Sequence, residues 1–330
     1  MGEAFAGKTV GKKAMIWGAL AQSIPDIDFL AAFWTNTSDN LLAHRGFTHS
    51  ILFGLVISFV MASLAERWHR PHNISLHRWI YFFGAVILTH IFIDAFNNYG
   101  VAWFEPFSHY RISFNTIYVA DPFFSIGPAI AILMLLLLKQ RDKTKKWNIK
   151  RRSWWRFGLI LPFFYLGYCL INKVIINRDV KQVLARQEIK YTRYFTTPAP
   201  LQDWLWYVVA GDDKGYYVGY RSVFDHSASP MHLEYFPRNN FLIDSLCKQD
   251  IRQLIRFSQQ YYTIEKKHDT LIFNDLRFGQ IVGWHDPKEG FAFHYYLEPV
   301  IDNTLVVQRG RFAKWNKHTM RSFIRRIKGN

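Results

Sequence analysis

Residues 79–98 read WIYFFGAVILTHIFIDAFNN, an apolar run that ends in polar side chains. His90 and Asp94 stand four positions apart in it, and residues at this spacing share one face of a helix. Ionisable groups inside an apolar segment that enters a membrane are costly and usually functional. The pattern predicts two metal ligands, or a buried pair in which Asp94 accepts the ring proton of His90, on a helix that ends at Gly100.

Similar apolar segments occur elsewhere in the amino-terminal half. Half of the chain is hydrophobic and 18% of it is Phe, Trp or Tyr, which is aromatic-rich for a soluble enzyme. A full membrane span needs about 20 residues, and four segments, several of them shorter than this, predict helices that cross or enter a bilayer: 51–65, 79–93, 122–138 and 157–176. Residues 14–24 predict a further, partly inserted helix. The alternative is a set of buried helices in a large soluble core.

The net charge of +16 is concentrated next to these segments. Residues 139–156 contain nine Lys or Arg and one acidic residue, and further basic stretches occupy residues 8–13 and 67–78. Because basic residues flank membrane spans on the cytoplasmic side, we expect all three stretches in the cytoplasm, and a nucleic-acid partner is disfavoured. Helices then cross in pairs, which predicts a multi-pass protein of the cell inner membrane with residues 177–330 outside the cytoplasm.

The cysteine content excludes some site classes. The two cysteines, Cys169 and Cys247, lie in an apolar run and in the polar half, so neither a disulfide nor a thiolate metal site is predicted. No secretory signal peptide is predicted, because residues 1–7 lack a basic start followed by an apolar core. Imidazole and carboxylate groups are therefore the candidate metal ligands.

A second polar motif, HRGFTHS at residues 44–50, directly precedes an apolar segment. His44 and His49 are five positions apart and do not share a helical face, but Ser50 is suited to cap the helix that follows. His44 then lies in a loop and His49 at the start of the helix, where both can turn inward. The alternative is a polar loop at the membrane interface.

A third motif, SIPDID at residues 23–28, contains two carboxylates. Asp26 and Asp28 are two positions apart and point the same way if the chain is extended. Ser23 and Asp26 also fit a capping-box pattern, which gives Asp26 a structural alternative. Asp28, which is followed by apolar residues, has no such alternative.

The expected topology places these motifs at one face of the membrane. That face receives the ends or beginnings of successive helices, which carry Asp26, Asp28, His44, His49, His90, Asp94 and, as a weaker element, Asp121. Unrelated structural residues would not be expected to sort in this way. A mixture of imidazoles and carboxylates suits zinc, manganese or iron, so a divalent metal, with zinc preferred, is the expected cofactor.

The segments IPDIDFL, HRGFTHS and THIFIDAFNNYG, with the later PFS and DP, resemble the bacterial family of inner-membrane-associated metal-dependent hydrolases of the LexA-binding type. The similarity covers roughly residues 2–122, with the motifs in the order and spacing of the family. The His-x-x-x-Asp element is also similar, more distantly, to that of zinc-dependent phospholipases C. The resemblance implies metal-site residues at Asp26, Asp28, His44, His49, His90 and Asp94, with Asp121 as a weaker match.

The chain departs from that family at its start. Members usually begin with a short helix that carries an early Thr-His before a stretch like GEAFAG, which is residues 2–7 here. We therefore expect either a segment upstream of Met1 or a site with one ligand fewer. The resemblance gives no expectation for residues 177–330.

Residues 177–330 predict a compact α+β domain. The GDDKG turn is flanked by residues 204–209 and 216–224, which predicts a β-hairpin. Residues 250–262 have the apolar spacing of a helix. Three further strands are expected at residues 270–273, 280–284 and 291–297.

Together these features predict an α-helical multi-pass membrane domain at residues 1–176, followed by an extracytoplasmic α+β soluble domain. The expected function is a membrane-bound metal-dependent hydrolase that cleaves a phosphoester or lipid-linked substrate at the outer face of the membrane. Membrane lipid is the expected partner, with Arg111 in contact with substrate and Asp26, Asp28 or Asp94 as catalytic carboxylate. One alternative is a non-enzymatic membrane protein with a structural metal and a partner-binding tail. Another is a transporter, which is disfavoured because the sequence has charged residues at only one end of the helices.

Overall fold

The computed structural model describes residues 1–69, 74–138, 145–244, 248–297, 306–307, 312 and 314–329. Some predicted features lie outside these ranges, namely Cys247 and residues 70–73 and 139–144 of the basic stretches.

Contacts divide the chain into two units. The first comprises Met1–Leu30, Ala43–Phe114 and Val119–Tyr168, and the second comprises Ala31–Leu42, Asn115–Tyr118 and Cys169–Asn330. The predicted boundary between residues 176 and 177 stays a prediction.

The amino-terminal half is helical, as the sequence predicts. Its α-helices are α1 Gly2–Val10, α2 Lys13–Ser23, α3 Thr37–Ala43, α4 Ile51–Trp68, α5 Leu76–Asp94, α6 Pro122–Leu137 and α7 Lys145–Arg186. Two 3₁₀ segments, Pro25–Phe33 and Phe47–His49, lie between them. All four predicted apolar segments are helices.

Three of these helices are long and apolar enough to cross a membrane: α4, α5 and the part of α7 from Ile149 onward. Helix α6 has 16 residues and α2 has 11, both short of a full span. The crossing of helices in pairs, which requires α2 and α6 to cross the membrane, therefore stays a prediction.

The ends of α4 and α5 follow from local hydrogen bonds. Ser50 caps α4 as predicted, because its hydroxyl accepts the backbone N–H of Phe53 at 3.0 Å. Helix α5 ends at Asp94, six residues before the predicted end at Gly100. The helix does not continue because the side-chain oxygen of Asn97 accepts the backbone N–H of Tyr99 at 3.0 Å. That N–H group therefore does not form a helical hydrogen bond.

The core of the first unit lies between α1, α2, α4 and α5. Trp79, Phe82 and Phe83 of α5 are at most 1% exposed. Ala62 and Ala65 of α4 are fully buried, and their small side chains allow the helices to pack closely. This packing fixes the relative positions of α4 and α5.

The carboxy-terminal half contains two antiparallel four-stranded sheets. One has the order β1 Arg193–Pro198, β2 Leu205–Gly211, β3 Gly215–Ser222, β4 Leu233–Pro237. The other has the order β5 Tyr262–Lys267, β6 Thr270–Asp275, β7 His294–Leu297, β8 Val306–Val307. The predicted hairpin is confirmed, because β2 and β3 pair across the GDDKG turn with Gly211 opposite Tyr216.

Among the described residues of this half there are also two α-helices, α8 Lys248–Phe257 and α9 Lys317–Ile327. The predicted helix therefore ends at Phe257, and residue 262 begins a strand. The predicted strand at residues 280–284 is wrong. Gly279 has a φ of 78°, and the side chain of Gln280 donates to the carbonyls of Pro287 and Glu289 at 2.8 Å, which folds this segment into a turn.

Candidate metal centre

The beginning of α4 and the end of α5 lie side by side, and this brings distant polar motifs together. Gly54 allows the close approach, because a Cβ atom there would lie 3.1 Å from side-chain atoms of both Ile91 and Leu88. His49 lies just before Ser50, the cap of α4, and His90 lies near the end of α5. The two Nε2 atoms are consequently 3.3 Å apart.

Four ligand atoms meet at this point, from Asp26, His49, His90 and Asp94, and all lie within 4.8 Å of one another. His49 Nε2 lies 3.5 Å from Asp26 Oδ1 and 3.4 Å from Asp94 Oδ2. His90 Nε2 lies 3.5 Å from Asp26 Oδ1 and 3.6 Å from Asp94 Oδ2. In the described part of the chain, no other group of three or more His, Cys, Asp or Glu side chains comes together this closely. We call these four residues the metal cluster.

The five separations given above, 3.3–3.6 Å, are close to those expected in a tetrahedral metal site. Zinc lies about 2.0–2.1 Å from nitrogen and oxygen ligands, so neighbouring ligand atoms of a tetrahedron are about 3.3–3.4 Å apart. Asp94 Oδ2 is buried, and among the described residues it has no hydrogen-bond partner. Arg45 Nε lies 3.1 Å from it without donating to it in acceptable geometry. A buried carboxylate oxygen in this state is a suitable ligand for a cation.

Asp28 and His44 lie behind His49. Asp28 Oδ2 is 3.3 Å from His49 Nδ1, and Asp28 Oδ1 is 3.2 Å from His44 Nδ1. The backbone N–H of Arg45 donates to Asp28 Oδ2 at 2.7 Å. Histidines that bind metals typically donate their second ring N–H to a carboxylate, which fixes the ring. Asp28 is therefore placed to orient His49, and neither Asp28 nor His44 belongs to the metal cluster.

Two residues that the sequence analysis did not single out also hold the cluster. Arg45 is buried, and besides its ion pair with Asp94 it donates to Asn97 Oδ1 at 2.6 Å. Gln22 Nε2 lies 3.1 Å from His90 Nδ1. Arg45 is part of the second polar motif, HRGFTHS. A buried arginine there would be expected to pair with an acidic residue, so its position was a usable signal. Gln22 has no comparable signal in the sequence.

The structure places Asp121 and Arg111 outside the metal cluster. Asp121 caps α6, where its Oδ1 accepts the N–H of Phe123 at 2.8 Å and its Oδ2 accepts the hydroxyl of Tyr165 at 2.8 Å. Arg111 is buried and donates to the carbonyl of His44 at 2.8 Å. Arg111 thereby supports the loop before α4. A metal-binding role for Asp121 and a substrate contact for Arg111 stay predictions.

The charges of the cluster stabilise one another. Burial lowers the pKa of His49, but close contacts with the carboxylates of Asp26, Asp28 and Asp94, at 3.3–3.5 Å, outweigh this effect and raise the pKa to about 10. Burial raises the pKa of Asp26, but hydrogen bonds from His49 and His90 outweigh it and hold this pKa below the ordinary value. Asp28 shows the same balance, with two imidazoles as the donors. In the metal-free protein a protonated His49 therefore holds the carboxylates together.

The cluster is accessible from one side. The side chains of His49, His90 and Asp94 are 0%, 10% and 17% exposed, whereas that of Asp26 is 54% exposed. Asp26 belongs to the 3₁₀ segment Pro25–Phe33. Solvent therefore reaches the cluster on the Asp26 side.

The structural alternatives from the sequence are not found. Ser23 ends α2, and its hydroxyl donates to the carbonyl of Ala19 at 3.1 Å, so it caps no helix that contains Asp26. His90 Nε2 and Asp94 Oδ2 are 3.6 Å apart, too far for a simple hydrogen-bonded pair. His49 is fully buried, which excludes an exposed polar loop at that position.

Parts of this chain are similar in sequence to known proteins. It is similar to the uncharacterized protein YfhP of Bacillus subtilis (strain 168), with 26% identity over 275 residues, 80% of this chain and 77% of that protein. It is also similar to the inner membrane protein YbcI of Escherichia coli (strain K12), with 28% identity over 113 residues, 34% of this chain and 64% of that protein. No solved structure matches. A family profile matches residues 1–176, more than half of the chain and all of the metal cluster, so the chain belongs to the YdjM inner membrane protein family.

Proposed function

We propose that this protein is a membrane-bound metal-dependent hydrolase that acts on a phosphoester or lipid-linked substrate at the outer face of the membrane. The observation that carries the proposal is the group of two imidazoles and two carboxylates with ligand atoms within 4.8 Å of one another, open to solvent on the Asp26 side. A bound divalent ion supplies Lewis acidity, which lowers the pKa of a coordinated water and polarises a phosphoryl or acyl oxygen. Zinc suits these ligands best, and manganese or iron also accept them.

The buried residues His49, His90 and Asp94 would hold the ion. Each is oriented by a neighbour, and these neighbours are Asp28, Gln22 and Arg45 respectively. Side chains fixed by a second set of contacts lose less freedom when a ligand binds, which favours a defined geometry at the reacting atoms. This arrangement is typical of a site built for a ligand.

Asp26 is the carboxylate best placed for proton transfer. Of the three carboxylates predicted as catalytic, Asp28 and Asp94 are enclosed, with side chains 3% and 17% exposed, while Asp26 is 54% exposed. A group that takes a proton from an attacking water must reach that water directly or through one other water. We therefore assign the role of base to Asp26, on the side where substrate enters.

The membrane location supports a lipid-linked substrate. The metal cluster lies at the end of two helices that are long and apolar enough to span a bilayer, so a site at this position meets lipid headgroups. The outer face is proposed because the basic stretches predict that the other helix ends are cytoplasmic.

A second candidate function is a structural metal site in a non-enzymatic membrane protein. One observation favours it: four protein side chains offer ligand atoms within 4.8 Å of one another, and closed four-ligand sites are typical of structural zinc. In that case Asp26 is a ligand needed for stability, with no role in turnover.

The test is to purify the protein in detergent, measure bound metal by mass spectrometry, and assay a panel of phosphodiesters that includes phospholipids. His90→Ala and Asp94→Ala should each remove most of the bound metal and the turnover. His77→Ala is the matched control, since His77 lies on the same helix but is exposed at its beginning. Turnover that is indifferent to both changes would rule out the proposal.

Asp26→Ala separates the two candidates. A hydrolase with Asp26 as base should keep metal bound through the remaining ligands and lose turnover. A structural site should lose metal and thermal stability together, with no turnover in the unchanged protein on any member of the panel.

A further inference from the structure

A short hairpin connects α5 to the segment before α6. Val101 and Ile112 close it with two backbone hydrogen bonds, each 2.9 Å long, between their N–H and carbonyl groups. We call residues 101–112 the interface hairpin. Its sequence, VAWFEPFSHYRI, is rich in aromatic residues.

The base of the interface hairpin is attached to the backbone around the metal cluster. Ala102 N–H donates to the carbonyl of Arg45 at 3.1 Å, and Ile51 N–H donates to the carbonyl of Trp103 at 3.0 Å. The Trp103 ring also donates through Nε1 to the carbonyl of Ile91 at 3.2 Å. Ile91 follows His90 directly. The hairpin therefore has a fixed position relative to the cluster.

The tip of the hairpin is ordered and presents aromatic side chains outward. The N–H groups of Phe107 and Ser108 both donate to the carbonyl of Phe104, at 2.9 and 3.0 Å. Phe104, Phe107 and Tyr110 are 49%, 85% and 71% exposed. The backbone bonds hold the turn in place, and the exposed rings on it are available to a partner without rearrangement of the turn.

The interface hairpin continues the lipid-facing surface of a candidate membrane span. Ile51, to which the hairpin is bonded, is the first residue of α4. Further along α4, Leu55, Val56 and Phe59 are each more than half exposed, as expected of side chains that face lipid. The hairpin is thus at the level where a spanning helix leaves the hydrocarbon. Trp and Tyr, present here as Trp103 and Tyr110, are enriched at this level because their rings make both apolar and polar contacts.

We propose that the tip of the interface hairpin inserts into the headgroup region of the leaflet next to the metal cluster. The partner is a phospholipid surface, and Phe104, Phe107 and Tyr110 are the residues in contact with it. Insertion places the solvent-accessible side of the metal cluster, where Asp26 is exposed, at the level of the lipid phosphates. It follows, and this part rests on the proposed hydrolase function, that the substrate is a membrane-resident phosphoester taken directly from the leaflet.

Fluorescence quenching tests the insertion without any assay of activity. A polarity-sensitive label is placed by Phe107→Cys in a protein whose two native cysteines are replaced by alanine, in nanodiscs of phosphatidylethanolamine and phosphatidylglycerol. Labels at Val56→Cys and Lys214→Cys serve as the lipid and water references, because Val56 is exposed on α4 and Lys214 lies in the exposed turn after β2.

The label at position 107 should be quenched most strongly by nitroxide lipids that carry the spin label near the headgroup, and less by aqueous iodide than the label at position 214. Iodide quenching equal to that at position 214 would overturn the proposal, because the tip would then lie in water. Protection from both quenchers would also overturn it, since protein would then cover the tip.

Turnover tests the substrate class. Phe107→Ser with Tyr110→Ser should lower hydrolysis of vesicle phospholipid by about tenfold or more, the effect of losing two buried aromatic contacts, and leave a soluble phosphodiester unaffected. Phe241→Ser is the matched control, because Phe241 is 70% exposed in the carboxy-terminal half. An equal loss on both substrates would overturn the substrate assignment. No turnover by the unchanged protein would end the hydrolase proposal and leave the quenching result intact.

Discussion

His49 contacts every other part of the metal cluster. Its Nε2 atom lies within 3.5 Å of ligand atoms on Asp26, His90 and Asp94, and its Nδ1 atom lies 3.3 Å from Asp28. The ring is fully buried, and the Thr48 hydroxyl, 3.2 Å from Nδ1, is its further neighbour, so its orientation depends on these contacts. Two predictions follow for the chemistry of this one ring.

Asp28→Asn should weaken metal binding about 10- to 100-fold without abolishing it, because an amide orients the His49 ring less firmly and makes it a poorer donor to the ion. Competition with a chelator of known affinity measures the change. Asp269→Asn is the control, since Asp269 is exposed in a turn of the carboxy-terminal half. Unchanged affinity in Asp28→Asn would contradict a role for Asp28 in holding the ligand.

Metal binding should strengthen as the pH rises. The pKa of His49 is raised from an ordinary 6.5 to about 10 in the metal-free protein, so below pH 10 an ion must displace its proton. The stabilisation of the metal-free protein by the protonated ring is fully present below pH 6.5 and is lost as the pH rises through about 10. Calorimetry in buffers of different ionisation enthalpy should detect proton release on binding between these values. Binding without proton release would contradict the displacement.

At the scale of elements, the contact between α4 and α5 forms the site. Gly54 permits this contact, and its neighbours Ile87, Leu88 and Ile91 leave no room for a larger side chain. The position of His49 relative to His90 depends on the same contact, because each lies within a few residues of it. Packing and metal binding are therefore coupled.

Gly54→Leu should destabilise the protein by about 1–3 kcal/mol, the usual cost of overpacking, and should reduce bound metal because α4 and α5 move apart. Thermal unfolding in detergent and metal analysis measure the two effects. Gly84→Leu is the control on α5, where a Cβ atom would meet nothing within 4 Å. Equal effects of both changes would show that the contact at Gly54 has no special role.

The elements themselves were largely predictable, and their ends less so. The lengths of the apolar runs predicted the helices α4, α5, α6 and the apolar part of α7. Ser50, which precedes one of these runs, predicted the beginning of α4. The end of α5 was missed because Asn97 makes side-chain contacts with Arg45 and Tyr99, one of them far away in sequence. The strand expected at residues 280–284 is also wrong because of a side chain, since Gln280 donates to backbone carbonyls seven and nine residues further along the chain.

At the scale of the whole molecule, the two units have separate hydrophobic cores. A metal bound in the first unit should stabilise that unit by about 2.7 kcal/mol when free metal exceeds the dissociation constant a hundredfold. Chelation should therefore speed hydrogen exchange in α4 and α5 and leave β2 and β3 unchanged. His90→Ala should make exchange insensitive to the chelator. A change spread evenly over both units would contradict a stabilisation confined to the first.

The sequence by itself determined the apolar helices, the carboxy-terminal β-hairpin and six polar residues that converge, because hydrophobic length, turn residues and ionisable groups in apolar surroundings are local signals. It also suggested two further residues, Asp121 and Arg111, that the fold places outside the metal cluster. Only the tertiary structure decided which residues share one ion-sized space and which support them. Ligand separations of 3.3–3.6 Å, and the positions of Gln22 and Arg45, depend on how α2, α4 and α5 pack. Such packing joins atoms that are distant in sequence, and no local pattern of residues encodes it.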